Sequence, residues 1–271
     1  MAITTLAGLA AGLQPPVYVQ KPNISADTDV LTSYFYAAGA PPAAVAPSPG
    51  LNGAALTSYA GQIDFQNPAS GNAYLAAVHL AASSGSVSGM WMLYDRLWHN
   101  SGISVTTTTE QAITSPTWPA RDENGATDGE GVFVLLEFSA GSTNAPITNT
   151  TLNYTNSAGT AGRTATLVAP AALNASSLLM FRLQDGDTGI RSVQGITLGT
   201  SYATGTMHLV AVRPIASPMP FPLYTEESAY YDAIALGFPR LYNDSVLFAA
   251  GYNGNVSAAP PCFATLIYAH G

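Results

Sequence analysis

The chain has 271 residues, enough for one large β domain or two modest ones with a proper core. Charged residues make up 9% against 47% hydrophobic, far below the roughly 25% charge of an ordinary soluble domain, so much of the surface is expected to meet other protein. The formal charge of -8 comes with one lysine, Lys21, and arginines scattered from Arg96 to Arg240, which excludes a basic stripe for phosphate-driven nucleic-acid binding.

Cys262 is the single cysteine, so an intrachain disulfide and a cysteine-based zinc or redox pair are excluded. The opening "MAITTLAGLAAGLQPP" has no basic segment before its short apolar run and does not read as a signal peptide. It has room for one short helical turn before Pro15-Pro16. No stretch approaches the ~20 apolar residues that cross a bilayer, so no membrane partner is expected. Residues 1–60 string prolines, glycines and alanines between small apolar patches. They read as an extended arm laid across a neighbour or, alternatively, as a loop wrapped over their own domain.

From 61 to 215 the signals are for strands. "NAYLAAVHLAA" and "VFVLLEF" are short apolar runs bounded by turn residues, and "TMHLVAVRP" alternates and ends at a proline. "TLNYTNSAGTAGRTATL" reads as a hairpin around Ser157-Ala158-Gly159. Short strands at this spacing predict a mainly β fold, an antiparallel β-sandwich or jelly roll. Residues 216–271 read as a proline-broken connector, a short helix near the C-terminus and a closing strand, "CFATLIYAHG", on the same domain. Glu226 and Glu227 would sit in that helix's first turn, and Gly237 and Pro239 would end it.

The densest chemistry lies in "GMWMLYDRLWHNSG", Gly89 to Gly102. Laid out as a strand, Trp91, Leu93, Asp95, Leu97 and His99 share one face, and Met90, Met92, Tyr94, Arg96 and Trp98 the other. Asp95 and His99 would then stand about 13 Å apart, too far for a hydrogen bond. The stretch therefore reads as a structural strand whose charged residues pair elsewhere.

Other candidates are weaker. Asp187-Thr188-Gly189 matches the aspartic-protease tripeptide, but a second copy is missing from the chain. Asp122, Glu123, Asp128 and Glu130 crowd one Gly-rich loop whose spacing is not that of an EF-hand, and calcium is the alternative to a solvated loop. His79, His99, His208 and His270 are dispersed without metal-ligand spacing, and His79 and His208 read as satisfied residues of the fold. No catalytic, cofactor-binding or metal-ligating residue is assigned.

Three blocks carry a resemblance: "DRLWHNSGI" (95–103), "TWPARDENGATDGEGV" (117–132), and "YTNSAGTAGRTATL" with "LQDGDTGIRSVQGITL" (154–198), with "GFPRLYND" near the end. On these the chain resembles a group of uncharacterised tailed-bacteriophage structural proteins encoded among virion genes. The resemblance implies a particle component, and no functional residues come with it. The expectation is a virion protein that is not an enzyme, most simply a capsid decoration or cement protein binding the major capsid protein. It would be a homotrimer at three-fold joints with arms from 1–60 on neighbouring protomers. The alternatives are a tail tube, collar or receptor-binding component, which would expose sugar platforms such as Trp118 or Tyr252, and a β-scaffold hydrolase of host glycans. The hydrolase would need paired carboxylates, for example Glu130 with Glu137 or Asp187 with a distant partner.

Overall fold

The computed structural model describes residues 3–28, 30–81, 89–143, 147–169, 173–220, 228–253, 258–259 and 261–271. The chain opens with α1 (Leu6–Gly12), β1 (Val17–Lys21), β2 (Ile24–Ser25), β3 (Leu31–Ser33), β4 (Ala54–Ala55) and β5 (Ala73–Ala81). It continues with β6 (Gly89–His99), β7 (Gln111–Ala112), β8 (Phe133–Ala140), β9 (Ile147–Asn156), β10 (Arg163–Ala169) and β11 (Ser177–Met180). It ends with β12 (Ile190–Thr197), β13 (Thr206–Pro220), β14 (Ser228–Asp232), β15 (Arg240–Leu241), β16 (Leu247–Asn253), β17 (Ala258–Ala259) and β18 (Cys262–His270).

The strands make a closed antiparallel barrel with a sheet packed on either side. Around the barrel the order is β13, β8, β11, β3, β16 and β6, and β6 pairs back onto β13. One flanking sheet is β1-β18-β5-β14, and the other is β10-β9-β12-β7. Barrel strands alternate between an inner and an outer core, so both faces are apolar and the sequence reads as unbroken hydrophobic runs. In β8, Val134, Leu136 and Phe138 face the β9 sheet, whereas Leu135 faces the barrel interior with Val210, Val212 and Phe248. Leu247 and Ala249 of β16 face the β5 sheet with Trp91 and Leu93.

The expected mainly β, sandwich-like architecture is present, with its helix at the other end of the chain. Thr5 caps α1, its hydroxyl accepting from Gly8 N, and Pro15-Pro16 follows. Near the C-terminus Glu226 and Glu227 lie outside the described residues, and Ser228–Asp232 is a strand on β5. Exposure alternates along it: Ala229 and Tyr231 pack against the β5 sheet's core, and Tyr230 turns outward. Asp232 then ends the strand by accepting from Ile234 N and Ala235 N.

The N-terminal segment lies on its own body and does not project as an arm. β1 runs antiparallel to β18 from Val17↔Leu266 to Lys21↔Cys262, and β3 sits between β11 and β16 as a stave of the barrel. Tyr34 and Phe35, which follow it, are 0% and 1% exposed. Lys21 reinforces the wrap by donating to Ala37 O and Pro41 O. "TMHLVAVRP" extends past its proline, because β13 continues to Pro220 along the first half of β6. Among the described residues no helix is long and apolar enough to cross a membrane.

Removing residues 1–60 takes away a barrel stave and two fully buried aromatic rings. The truncated chain is expected to lose its cooperative thermal transition. A full-amplitude melt by circular dichroism from residues 61–271 would refute this account of the leader.

Candidate functional site

The polar residues of the tryptophan strand organise two buried networks on opposite sides of β6. Met92 and Tyr94 point into the barrel, and so does Arg96. The guanidinium donates twice to Glu137, Nη1 to Oε1 at 3.0 Å and Nη2 to Oε2 at 2.6 Å, and both side chains are 0% exposed. Tyr36 Oη donates to the same carboxylate at 2.6 Å, and the rings of Phe35 and Phe248 lie 4.6 and 5.7 Å from the guanidinium carbon. Burial pushes Glu137 up, but the charge and hydrogen bonds of Arg96 outweigh it and hold the carboxyl below its ordinary range.

Strict alternation would put His99 on the face of Asp95, and a bulge prevents it. Opposite β6, Ala211 pairs with Trp98 and the next residue, Val212, pairs with Arg96, so Leu97 is extra. Leu97 and Trp98 both turn outward into the core beneath the β9 sheet, and His99 returns to the side of Arg96. Arg96 Nε donates to His99 Nδ1 at 3.2 Å, which requires that nitrogen to be unprotonated. Burial, then the charges of Arg96 and His208, push His99 down to about 3. His208 bonds to Asn100 O through Nδ1 at 2.9 Å and to Ser139 Oγ through Nε2 at 2.8 Å. A carbonyl only accepts, so Nδ1 carries the proton. Burial also lowers His208, against the pull of Glu137.

Asp95 faces the other way. It takes Arg121 Nε at 3.0 Å and Nη2 at 3.2 Å, Ser245 Oγ at 2.9 Å and Val246 N at 2.8 Å. Arg121 also donates to the carbonyls of Leu56 and Arg96. Arg213 approaches Asp95 at 4.0 Å, and Tyr242 lies between Arg213 and Arg240, at 5.0 and 4.6 Å. A carboxylate with four donors on it in this way holds segments together.

The acidic loop is organised by its first residue. Asp122 accepts from four backbone amides, those of Asn124, Ala126, Gly129 and Glu130. Asp128 pairs with Arg191 at 3.1 Å, and Glu130 accepts from Thr188 Oγ1 at 2.8 Å. Gly129, at φ +80°, passes so close to β12 that a Cβ would meet Ile190 O at 1.9 Å. Asp187 accepts from Arg163, Tyr154 and Asn156, which pins the β9–β10 hairpin, and the Arg163 hydrogen bonds hold its carboxyl down at about 2.

Among the described residues, neither Glu130 with Glu137 nor Asp187 with a second carboxylate forms a pair. Glu137 is sealed in the barrel while Glu130 lies on the loop, and Asp187 is occupied by its three partners. Trp118 is no exposed platform: it is 2% exposed, its ring 6.4 Å from that of Trp98. Tyr252 is half-buried on β16. His79 stands within β5, as its strand-like run suggested, and is exposed beside Tyr230, at 6.4 Å. Among the described residues no three His, Cys, Asp or Glu side chains converge as metal ligands. Two open clefts flank Arg240, one of about 370 Å³ beside Arg121, Tyr242 and Asp244 and one of about 570 Å³ beside Glu123, Glu130 and Arg213.

No family model matches the chain, and no curated protein matches it. Among solved structures, the chain is similar to the VP2 subviral particle of infectious bursal disease virus, at 10% identity and a TM-score of 0.20, over 96% of this chain and 82% of that one. The Gt strain of infectious bursal disease virus (10%, TM-score 0.16, 95% and 82% covered) and T=1 particles derived from that virus (11%, 0.15, 96% and 75%) are also similar.

Glu137, Tyr36, Arg121 and Ser245 were not readable as partners of the tryptophan strand. They lie between 26 and 150 residues from the groups they bind, without a motif at either end.

Glu137→Gln would strand the Arg96 charge in the barrel and is expected to cost about 3–5 kcal/mol in urea unfolding. The double variant Arg96→Met/Glu137→Leu should lose less, and a Gln variant as stable as the parent would overturn the pairing argument. His99 is held neutral in the fold, so its stabilisation is present above the unfolded value of about 6.5 and lost as pH falls towards 3. His99→Gln should flatten the decline of stability between pH 6 and 4 by about 1.4 kcal/mol per pH unit.

Proposed function

We propose that this chain is a structural protein of a tailed-bacteriophage virion, a decoration (cement) protein that binds across major capsid protein subunits and opposes their separation. The observation that carries the reading is where the few charges lie. Of eight Lys and Arg residues, Lys21, Arg96, Arg121 and Arg213 are buried, at 2%, 0%, 2% and 6% exposure. The exterior is therefore poorer still in cations than the composition suggests. It carries large exposed apolar groups instead: Tyr18 at 68%, Val45 at 69% and Ile234 at 82%. A surface short of charge and dotted with apolar side chains suits burial against other protein.

The resemblance carried by residues 95–103, 117–132 and 154–198 supports the same assignment. The chemistry of the interior supports it too, because the ion pairs found there hold strands and loops together. In this mechanism binding energy does the work: a rigid β body spans a joint and buries at least about 1,000 Å² of total surface there. The acidic chain, at a formal charge of -8, would suit a basic surface on the shell. Since residues 17–60 belong to the body, the protein engages the shell with that body and not with arms from this segment.

Purified protein added to shells lacking it should cosediment to a saturating stoichiometry and raise the temperature at which the shells break open. Failure to bind either empty or filled capsids would refute the proposal, and immunogold labelling confined to tails would move the protein to the tail.

A further inference from the structure

Among the described residues, the sheet edges of this molecule are closed, bridged at one residue or very short, except for β14, which carries no bridge on its outer side. The barrel has no edge. β1, outermost in its sheet, exchanges two backbone hydrogen bonds with Ala40 through Gln20, at 2.7 and 2.8 Å. β10, outermost in the other, is bridged in the same way by Arg182 through Thr166, at 3.0 and 2.8 Å. β7, at that sheet's far side, is two residues long. β14 pairs with β5 along Ser228–Asp232, and its other side carries no strand among the described residues. An uncovered edge is a template for another strand, and proteins usually blunt it with lysine, proline or inward charge. β14 has neither lysine nor proline, and its one charge, Asp232, is turned onto Ile234 N and Ala235 N.

The surface beside this edge is apolar. Tyr230 is 64% exposed, Ile234 82%, Leu6 80%, Leu13 48% and Phe238 36%. They border two adjoining grooves, of about 390 and 240 Å³, which share Leu6, Leu9 and Ile234 between α1 and the β14 segment. Asp232 is the one charged side chain lining either groove, so two copies of a -8 chain can meet here without opposing like charges across most of the contact. The exposed apolar side chains amount to roughly 500 Å², the scale of a functional patch. A stable interface buries ~800 Å² per copy, and these side chains would supply its apolar centre.

We propose that a second copy of this chain docks on this face, β14 against β14 in antiparallel register about a two-fold axis through Tyr230. Such a contact is self-complementary: the free edge finds its own match, and the apolar side chains of each copy fill the grooves of the other. The dimer is independent of the particle reading, and it differs from the trimer expected from the sequence.

The axis makes the test sharp, because position 230 faces its own copy and one substitution enters the contact twice. In sedimentation velocity at about 100 µM, the parent should run at twice the mass of Tyr230→Lys/Ile234→Lys. Both positions are exposed in the single chain, so the melting temperature of the dissociated variant should report an intact fold. Directly opposed strand residues lie about 4.5–5.5 Å apart at Cα, within disulfide reach. Tyr230→Cys should therefore form a covalent dimer on mild oxidation. Tyr18→Cys, also exposed, should not, and the native Cys262 is fully buried. A monomeric parent, an assembly that survives the double substitution, or a face occupied only when a different protein is present would each overturn the proposal.

Discussion

Strand β6 has no solvent side over most of its length, and the rest of the molecule is arranged around that constraint. Its two edges are taken by β13 and β16, and its faces contribute to all three cores. Trp91 and Leu93 belong to the core under the β5 sheet, Tyr94 to the barrel interior, and Leu97 and Trp98 to the core under the β9 sheet. Such a strand cannot shift register by one residue without moving tryptophans into the barrel and a guanidinium out of it. The Leu97 bulge is what lets one strand serve both outer cores, because it turns Leu97 and Trp98 to the same side.

Asp95 and Arg96 are neighbours in sequence that never interact as a pair through their side chains. Alternation sends each to a different network. Arg96 meets one carboxylate, one phenol and two rings supplied by segments distant in the chain, and one imidazole from its own strand. Arginine suits this place because its planar fork matches Glu137 with two hydrogen bonds while its faces rest on Phe35 and Phe248. Asp95 on the outside gathers the 119–122 corner through Arg121 and the 245–246 corner through Ser245 and Val246. One carboxylate thus ties three parts of the chain together.

The sequence revealed the strands with strong local signals. The runs in β5, β8 and β18, the β9–β10 hairpin and the tryptophan strand all stand close to where they were read. What it hid has physical reasons. The bulge at Leu97 is a matter of register against β13, which the local pattern of β6 does not record. The segment after Ser228 offered acids, alanines and a Gly-Phe-Pro stop that suit a helix, but Ala229 and Tyr231 found apolar surface beneath β5 at a two-residue period, and tertiary contact overrode the local cue. The leader looked too broken by proline to fold. It does not fold alone; it completes a barrel whose other staves lie more than fifty residues away. As for the candidate site, its own residues were visible as Asp95, Arg96 and His99, while their partners and hence their structural role were not.

The placement of the leader changes what a particle role would demand physically. A disordered arm that orders on a neighbour loses conformational entropy at the moment of binding, which lowers its affinity for each unit of area buried. Here that ordering is completed during folding, since Tyr34, Phe35 and β3 are locked in the barrel before any neighbour is met. The exposed Tyr18 and Tyr230 are likewise presented from strands and Ile234 from a turn, so docking at these side chains has little left to order. A pre-organised surface of this kind needs less area for a given affinity. In a particle role, adhesion would then depend on how well a rigid face matches its target, and changes to the barrel's buried ion pair would act on it through stability and not through the contact itself.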